Sequence, residues 1–210
     1  MKSELWIESL KVENLGPFVG RKTFNFGRSS EESLTCILGG SGSGKTFLVN
    51  ALCWAFDLPA PAISGRFASP VNENSDYFSV EVVFQIGGIS RGVKRNSLSS
   101  QDFVAPEVPV IYFDDQLASS ALEEEFLSNG GHGSGALLVY ALTKFLDDLQ
   151  NKGDCRPLVF DAVFGILDLS QQSEAVDALF SYPAQIILCG DTHGCRELLD
   201  RGRAIRVLEI

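Results

Sequence analysis

Two hydrophobic periods alternate along this chain, and together they predict its elements. In ELWIESLKVEN (4–14), Leu5, Ile7, Leu10 and Val12 alternate with polar residues, and the pair Ser9/Leu10 breaks the rhythm once. That period-2 pattern predicts a half-buried strand. Gly16-Pro17 marks a turn, and a second short strand is expected near 23–26. SLTCILGG (33–40) is apolar without alternation and bounded by polar residues and glycines, as in a strand covered on both faces. FLVNALCWAF (47–56) switches to helical spacing, with Leu48, Leu52 and Ala55 on one face and Pro59 and Pro61 ending it. FSVEVVFQI (78–86) returns to alternation, and Gly87-Gly88 predicts a hairpin into 89–95.

Residues 96–107 are polar and loop-like, VPVIYF (108–113) reads as a strand and DDQLASSALEEEFL (114–127) as a helix. SNGGHGSG (128–135), rich in glycine, is expected to be irregular, and ALLVYALTKFLDDLQ (136–150) is a strongly amphipathic helix. Strand 157–161, helix 170–180, strand 185–190, helix 194–200 and strand 203–209 follow. The second half is therefore β-α-β-α-β and predicts a largely parallel sheet, whereas the first half opens with antiparallel strands.

GGSGSGKT (39–46) adds chemistry to this pattern. It matches G-x-x-x-x-G-K-[ST], and it stands between a buried strand and a helix, where that motif has meaning. Gly39, Gly40, Gly42 and Gly44 let backbone N–H groups curl around phosphate oxygens, with Ser41 and Ser43 completing the loop. Lys45 is placed to reach the β- and γ-phosphates of a nucleoside triphosphate, and Thr46 to ligate Mg²⁺. The competing reading is a flexible Gly/Ser loop, or one that holds another anion. Such a site needs a second acid at the end of a neighbouring parallel strand. PLVFDAVFGILD (157–168) supplies it in Asp161, the competing reading being an Asp that merely caps a strand end.

Composition narrows the class. The 210 residues are 45% hydrophobic and 21% charged, enough for an ordinary core. The five cysteines are scattered, which reads as free thiols in a reducing compartment. No apolar run is long enough to span a membrane, and the N-terminus lacks a signal-peptide pattern, so a cytoplasmic location is expected. The net charge of -10 argues against general nucleic-acid affinity by this chain alone.

WIESLKVENLGPFVGRKTFNF followed by LTCILGGSGSGKTFLVNALCWAF resembles the N-terminal lobe of an ABC-type ATPase head of the RecF and SMC (structural maintenance of chromosomes) class. Ser41 and Thr46 depart mildly from the Asn and Ser usual there. SVEVVFQIGG…RGVKR resembles the β-subdomain that follows in such heads. The implied fold is α/β: a P-loop NTPase head, with a mostly parallel central sheet flanked by helices and an N-terminal antiparallel β-subdomain. One head would fill 1–210, with an N-lobe at 1–95, a connecting segment at 96–135 and a C-lobe at 136–210. Small nucleotide kinases usually begin at the P-loop strand, whereas two strands precede it here. Residues 96–127 look too short and strand-rich for the helical subdomain of a transporter subunit.

The resemblance also implies site residues. SNGGHGSGALLVYAL resembles the signature loop and helix, whose serine and glycine amides bind ATP held by a second subunit. Two registers compete, Leu127-Ser128 with Gly130-Gly131 and Ser134-Gly135, and the second is favoured because it lies at the helix start. Asp168 resembles the dimer-contact acid of the D-loop, and His193 in AQIILCGDTHG resembles the switch histidine. Gln116 stands for the glutamine that helps hold the metal, with Gln101 as the alternative. The implied cofactors are ATP and Mg²⁺. The implied partners are a second head (a homodimer or a paired head), DNA, and a nuclease or accessory subunit, in DNA repair, chromosome maintenance or defence against foreign DNA.

Two expected features are missing. No heptad pattern lies between 96 and 135, where the class carries a coiled coil. Either the chain is naturally short there or a coil has been removed and the lobes joined. Ala162 stands where the class places the catalytic Glu beside the Mg²⁺ acid. Losing a positioned base costs about 10²–10⁴ in rate. Ala162 is therefore read as an engineered trap, as the mark of a slowly hydrolysing natural switch, or as a gap covered by another acid such as Asp191.

Overall fold

A computed structural model describes residues 5–26, 33–56, 75–97, 111–113, 120–161, 163–201 and 205–210. Its strands form two sheets. In the first, β1 (Leu5–Leu15), β2 (Phe18–Asn25), β4 (Ser79–Ile86) and β5 (Ile89–Asn96) pair antiparallel in the order β2-β1-β4-β5. In the second, β3 (Leu34–Leu38), β6 (Ile111–Phe113), β7 (Leu158–Asp161), β8 (Ile186–Gly190) and β9 (Ile205–Glu209) pair parallel in the order β6-β7-β8-β3-β9. Both expected sheet types are present. β2 runs longer and starts earlier than its sequence suggested, because its polar residues line a solvent-facing edge.

The helices are α1 (Lys45–Ala55), α2 (Ser120–Ser128), α3 (Ser134–Asn151), α4 (Leu169–Ser181) and α5 (Arg196–Asp200), with a 3-10 turn at Val163–Ile166. The stretch 128–135 is only partly irregular, since Ser128 closes α2 and Ser134-Gly135 opens α3.

Alternation along the parallel strands sorts the core into two layers. Ile37, Val159, Ile187 and Cys189 point toward α1 and the antiparallel sheet. Their neighbours Cys36, Phe160 and Leu188 point the other way, toward α3, α4 and α5. Burial of α1 is therefore wider than the single face its spacing suggests: Leu48, Val49, Asn50, Ala51, Leu52, Cys53 and Ala55 are all buried. The helix lies between two sheets. Its far end is fixed by Trp54 on Phe78 and Phe56 on Phe84, with ring centroids 5.0 and 5.6 Å apart.

One polar side chain joins the sheets. β2 pairs with β1 only from Ser9 onward, so the β1 edge at Ile7 is left without a strand partner on that side. Gln185, fully buried just before β8, fills it: Ile7 N–H donates to Gln185 Oε1 and Gln185 Nε2 donates to Ile7 C=O, each at 2.8 Å. The side-chain amide imitates a strand. Removing it would orphan two buried backbone groups, at about 1–3 kcal/mol each.

Candidate functional site

β3 runs straight into the loop 39–46, and α1 starts on its last two residues. Gly44 adopts φ 107°, and no side chain caps the helix, so its first N–H groups face the loop. Only glycine fits at 44. Besides the positive φ, a Cβ there would lie 2.6 Å from Pro17 Cγ and 2.7 Å from the Phe18 ring. The β1–β2 turn thus braces the loop from outside, and Gly16 of that turn packs on the Phe47 ring of α1. Gly39 is crowded by Ser43 Oγ and Ile210. Gly40 and Gly42 differ from these two. Both stand on the exposed rim of the loop with nothing within 4 Å of a new Cβ, and only the backbone at Gly42, φ 80°, asks for glycine. The crowding therefore falls on the inner glycines, while Gly40, Ser41 and Gly42 form the open side. Lys45 lies across the loop, its Nζ donating to Gly39 C=O at 2.6 Å and Gly40 C=O at 2.8 Å.

Asp161 ends β7 two strands from β3, with β8 between them. Burial pushes its carboxyl above the ordinary carboxylate range, against the opposing pull of a Thr46 hydrogen bond and the Lys45 charge. Its Oδ1 is buried without a hydrogen-bond partner, as is Ser43 Oγ. The site therefore contains a desolvated carboxylate that nearby positive charge does not fully satisfy. A divalent cation fits that deficit, and the Thr46 hydroxyl with the Asp161 carboxylate supplies the hard oxygen donors Mg²⁺ takes.

A cleft opens here, lined by Ser41 and Lys45 together with Phe164, Gly165, Cys189, Gly190, Asp191, Gly194 and Cys195. Burial raises the Cys189 thiol well above its ordinary pKa, so it stays neutral. All five cysteines are free thiols. His193 sits exposed on the turn after β8, outside the cleft lining, with its C=O accepting from Arg196 N–H.

Ser134, Gly135 and Asp168 form a second assembly. Ser134 is exposed at the first position of α3. Gly135 is buried against the Gln171 side chain, which leaves no room for a Cβ. Gln171 also completes a capping box with Asp168: Gln171 N–H donates to Asp168 Oδ1 at 2.9 Å, and Asp168 N–H to Gln171 Oε1 at 3.1 Å. Neighbouring Gln172 is buried and donates to Leu167 C=O. None of 128–135 lines the cleft. The competing register serves as a helix stop: Ser128 Oγ donates to Glu125 C=O, Gly130 has φ 80°, and Gly131 N–H donates to Phe126 C=O. Ala162, Gln116 and Gln101 lie outside the described residues.

Sequence reasoning missed Gln185, Gln171 and the bracing turn. The D-x-x-Q spacing at 168–171 was a signal for the capping box, whereas Gln185 announces itself only through tertiary contact.

A family model described as AAA domain matches residues 9–131. Among curated proteins no significant sequence match is found. The SMC head domain from Thermotoga maritima superposes with a TM-score of 0.62 at 15% identity, covering 91% of each chain. The Smc head with an extended coiled coil from Pyrococcus furiosus, bound to the C-terminal domain of ScpA, gives a TM-score of 0.62 at 11% identity, over 93% of this chain and 92% of that one. RecF bound to ATP, of the RecFOR pathway, gives 0.54 at 10% identity, over 90% and 94%. The fold is that of these ABC-type heads. Among the described residues no helix is long and apolar enough to cross a membrane.

Proposed function

The chain belongs to the AAA domain family, and from that premise we propose that it is an ATP-binding head that closes onto a second head with ATP between them. The observation that carries this is the braced loop 39–46, with Lys45 across it and the partnerless Oδ1 of Asp161 beside Thr46. Loop amides and Lys45 would hold the β- and γ-phosphates. Mg²⁺, when bound through Thr46 and Asp161 with Gln116 assisting, would neutralise phosphate charge.

The second head would supply Ser134 and Gly135, whose serine is exposed at a helix start. Asp168, tied to Gly135 through Gln171, would lie at the contact. His193 would approach the γ-phosphate across the closed interface. With Ala162 in place of a glutamate, hydrolysis at that position is impaired, and head closure is long-lived. The cellular output is DNA repair, chromosome maintenance or defence against foreign DNA, acting with DNA and with an accessory or nuclease subunit. The likeness to heads bound to ATP and to ScpA supports this assignment.

The test is molar mass by light scattering with and without ATP-Mg²⁺, beside Lys45→Ala. The expected result is a monomer without nucleotide and a dimer with it. Lys45→Ala is expected to remain monomeric and to bind ATP about 10–100-fold more weakly. A monomer under both conditions would remove the sandwich from the reading.

A further inference from the structure

We propose that Asp191 is the catalytic carboxylate of this cleft, orienting the water that attacks the γ-phosphate and taking its proton. The inference rests on the ATP-binding reading above. It concerns which residue does the chemistry that Ala162 leaves undone.

Topology puts Asp191 in the right place. β8 lies between β7, which carries Asp161, and β3, which carries the phosphate loop. Cys189 is level with Asp161 on one side and Ile37 on the other, and Gly190 is level with Leu38. Asp191 is the next residue, just where the neighbouring strands have left the sheet for the loop and the 3-10 turn. Ligands of parallel sheets bind at such carboxyl ends. Asp191 lines the same cleft as Ser41 and Lys45, and among the described lining residues it is the carboxylate.

Its geometry is fixed on one side only. Gly194 N–H donates to Asp191 Oδ1 at 2.7 Å, and Cys195 N–H to the Asp191 carbonyl at 3.1 Å. The turn is packed from below: a Cβ at Gly190 would lie 2.5 Å from Cys195 Sγ, and one at Gly194 would lie 3.3 Å from Gly165 N. Oδ2 has no hydrogen-bond partner among the described residues, and the side chain is exposed to the cleft mouth. A clamped carboxylate with one unclaimed oxygen, in the same cleft as Lys45, is equipped to hold a water.

The water oxygen bonds to the γ-phosphorus, and its proton passes to Asp191. The bond from that phosphorus to the bridging oxygen breaks, and its electron pair leaves on ADP. The proton is then released to solvent.

The test is single-turnover ATP hydrolysis, alongside nucleotide affinity, for the natural chain, Asp191→Asn, and Asp191→Asn combined with Ala162→Glu. Asn keeps an acceptor for Gly194 N–H, so the turn is retained. Asp191→Asn is expected to lower the rate about 10²–10⁴-fold with affinity within about twofold, and the added glutamate is expected to restore turnover. An unchanged rate in Asp191→Asn would overturn the proposal. So would a rate loss matched by lost affinity, or one that glutamate at 162 does not rescue, since either leaves Asp191 as a turn cap. No hydrolysis at all by the natural chain would overturn it too. Failure of the natural chain to bind ATP would instead sink the underlying reading, and its affinity reports that separately.

Discussion

Two glycine-rich loops open onto helices in this molecule, and they are built differently. The loop at 39–46 runs from the end of a fully buried strand and is enclosed on several sides, by the 16–18 turn, by Ile210 and by its own lysine. The loop at 128–135 is strung between two helices, with Gly130 and Gly133 in open space and Ser134 exposed. The first is held in one shape by its own chain. The second is anchored by Gly131 on Phe126 and Gly135 on Gln171, and presents its serine outward. Glycine content makes the two loops look alike. What surrounds each glycine separates an enclosed loop from an outward-facing one.

Matched substitutions would break this contrast if it is wrong. The largest effect is expected for Gly44→Ala, which combines a positive φ with contacts to Pro17 and Phe18. Strain and crowding together should cost about 2–4 kcal/mol by denaturant unfolding, and nucleotide affinity should fall with it. Stability and affinity like those of the natural loop would show that the bracing turn is slack. Next is Ser134→Arg. ATP affinity of the single head should be unaffected, while ATP-driven pairing should weaken about tenfold or more, read by sedimentation equilibrium in an analytical ultracentrifuge. Pairing that survives would point to another register or another surface. The smallest effect is expected for Gly130→Ala, where φ is positive but nothing lies within contact distance of a new Cβ. It should cost about 1 kcal/mol in thermal unfolding and leave nucleotide affinity alone. A larger loss would mean that the helix stop is packed more tightly than its open surroundings indicate.

The contrast also explains which parts were legible in the sequence. The loop at 39–46 is contiguous, and its motif is a run of small residues closed by one lysine and a threonine, so eight consecutive residues from Gly39 to Thr46 announce it. The parallel strands were legible because burial on both faces leaves a run such as LTCIL with little polarity. The width of burial around α1 was not, because Asn50 looks like an exposed position until a second sheet covers it. The register of the second loop stayed ambiguous for the same reason. Phe126 and Gln171 decide which glycines are crowded, and neither contact is visible in the order of letters.

Gln185 has a mechanical consequence. It is clasped to Ile7 at one end of β8, and Asp191 follows the other end, so a single extended segment of about 20 Å runs from the antiparallel sheet to the cleft mouth. An extended strand bonded to neighbours on both sides has little slack along its length. A load that tilts the N-terminal sheet would therefore be passed along β8 to the turn that carries Asp191.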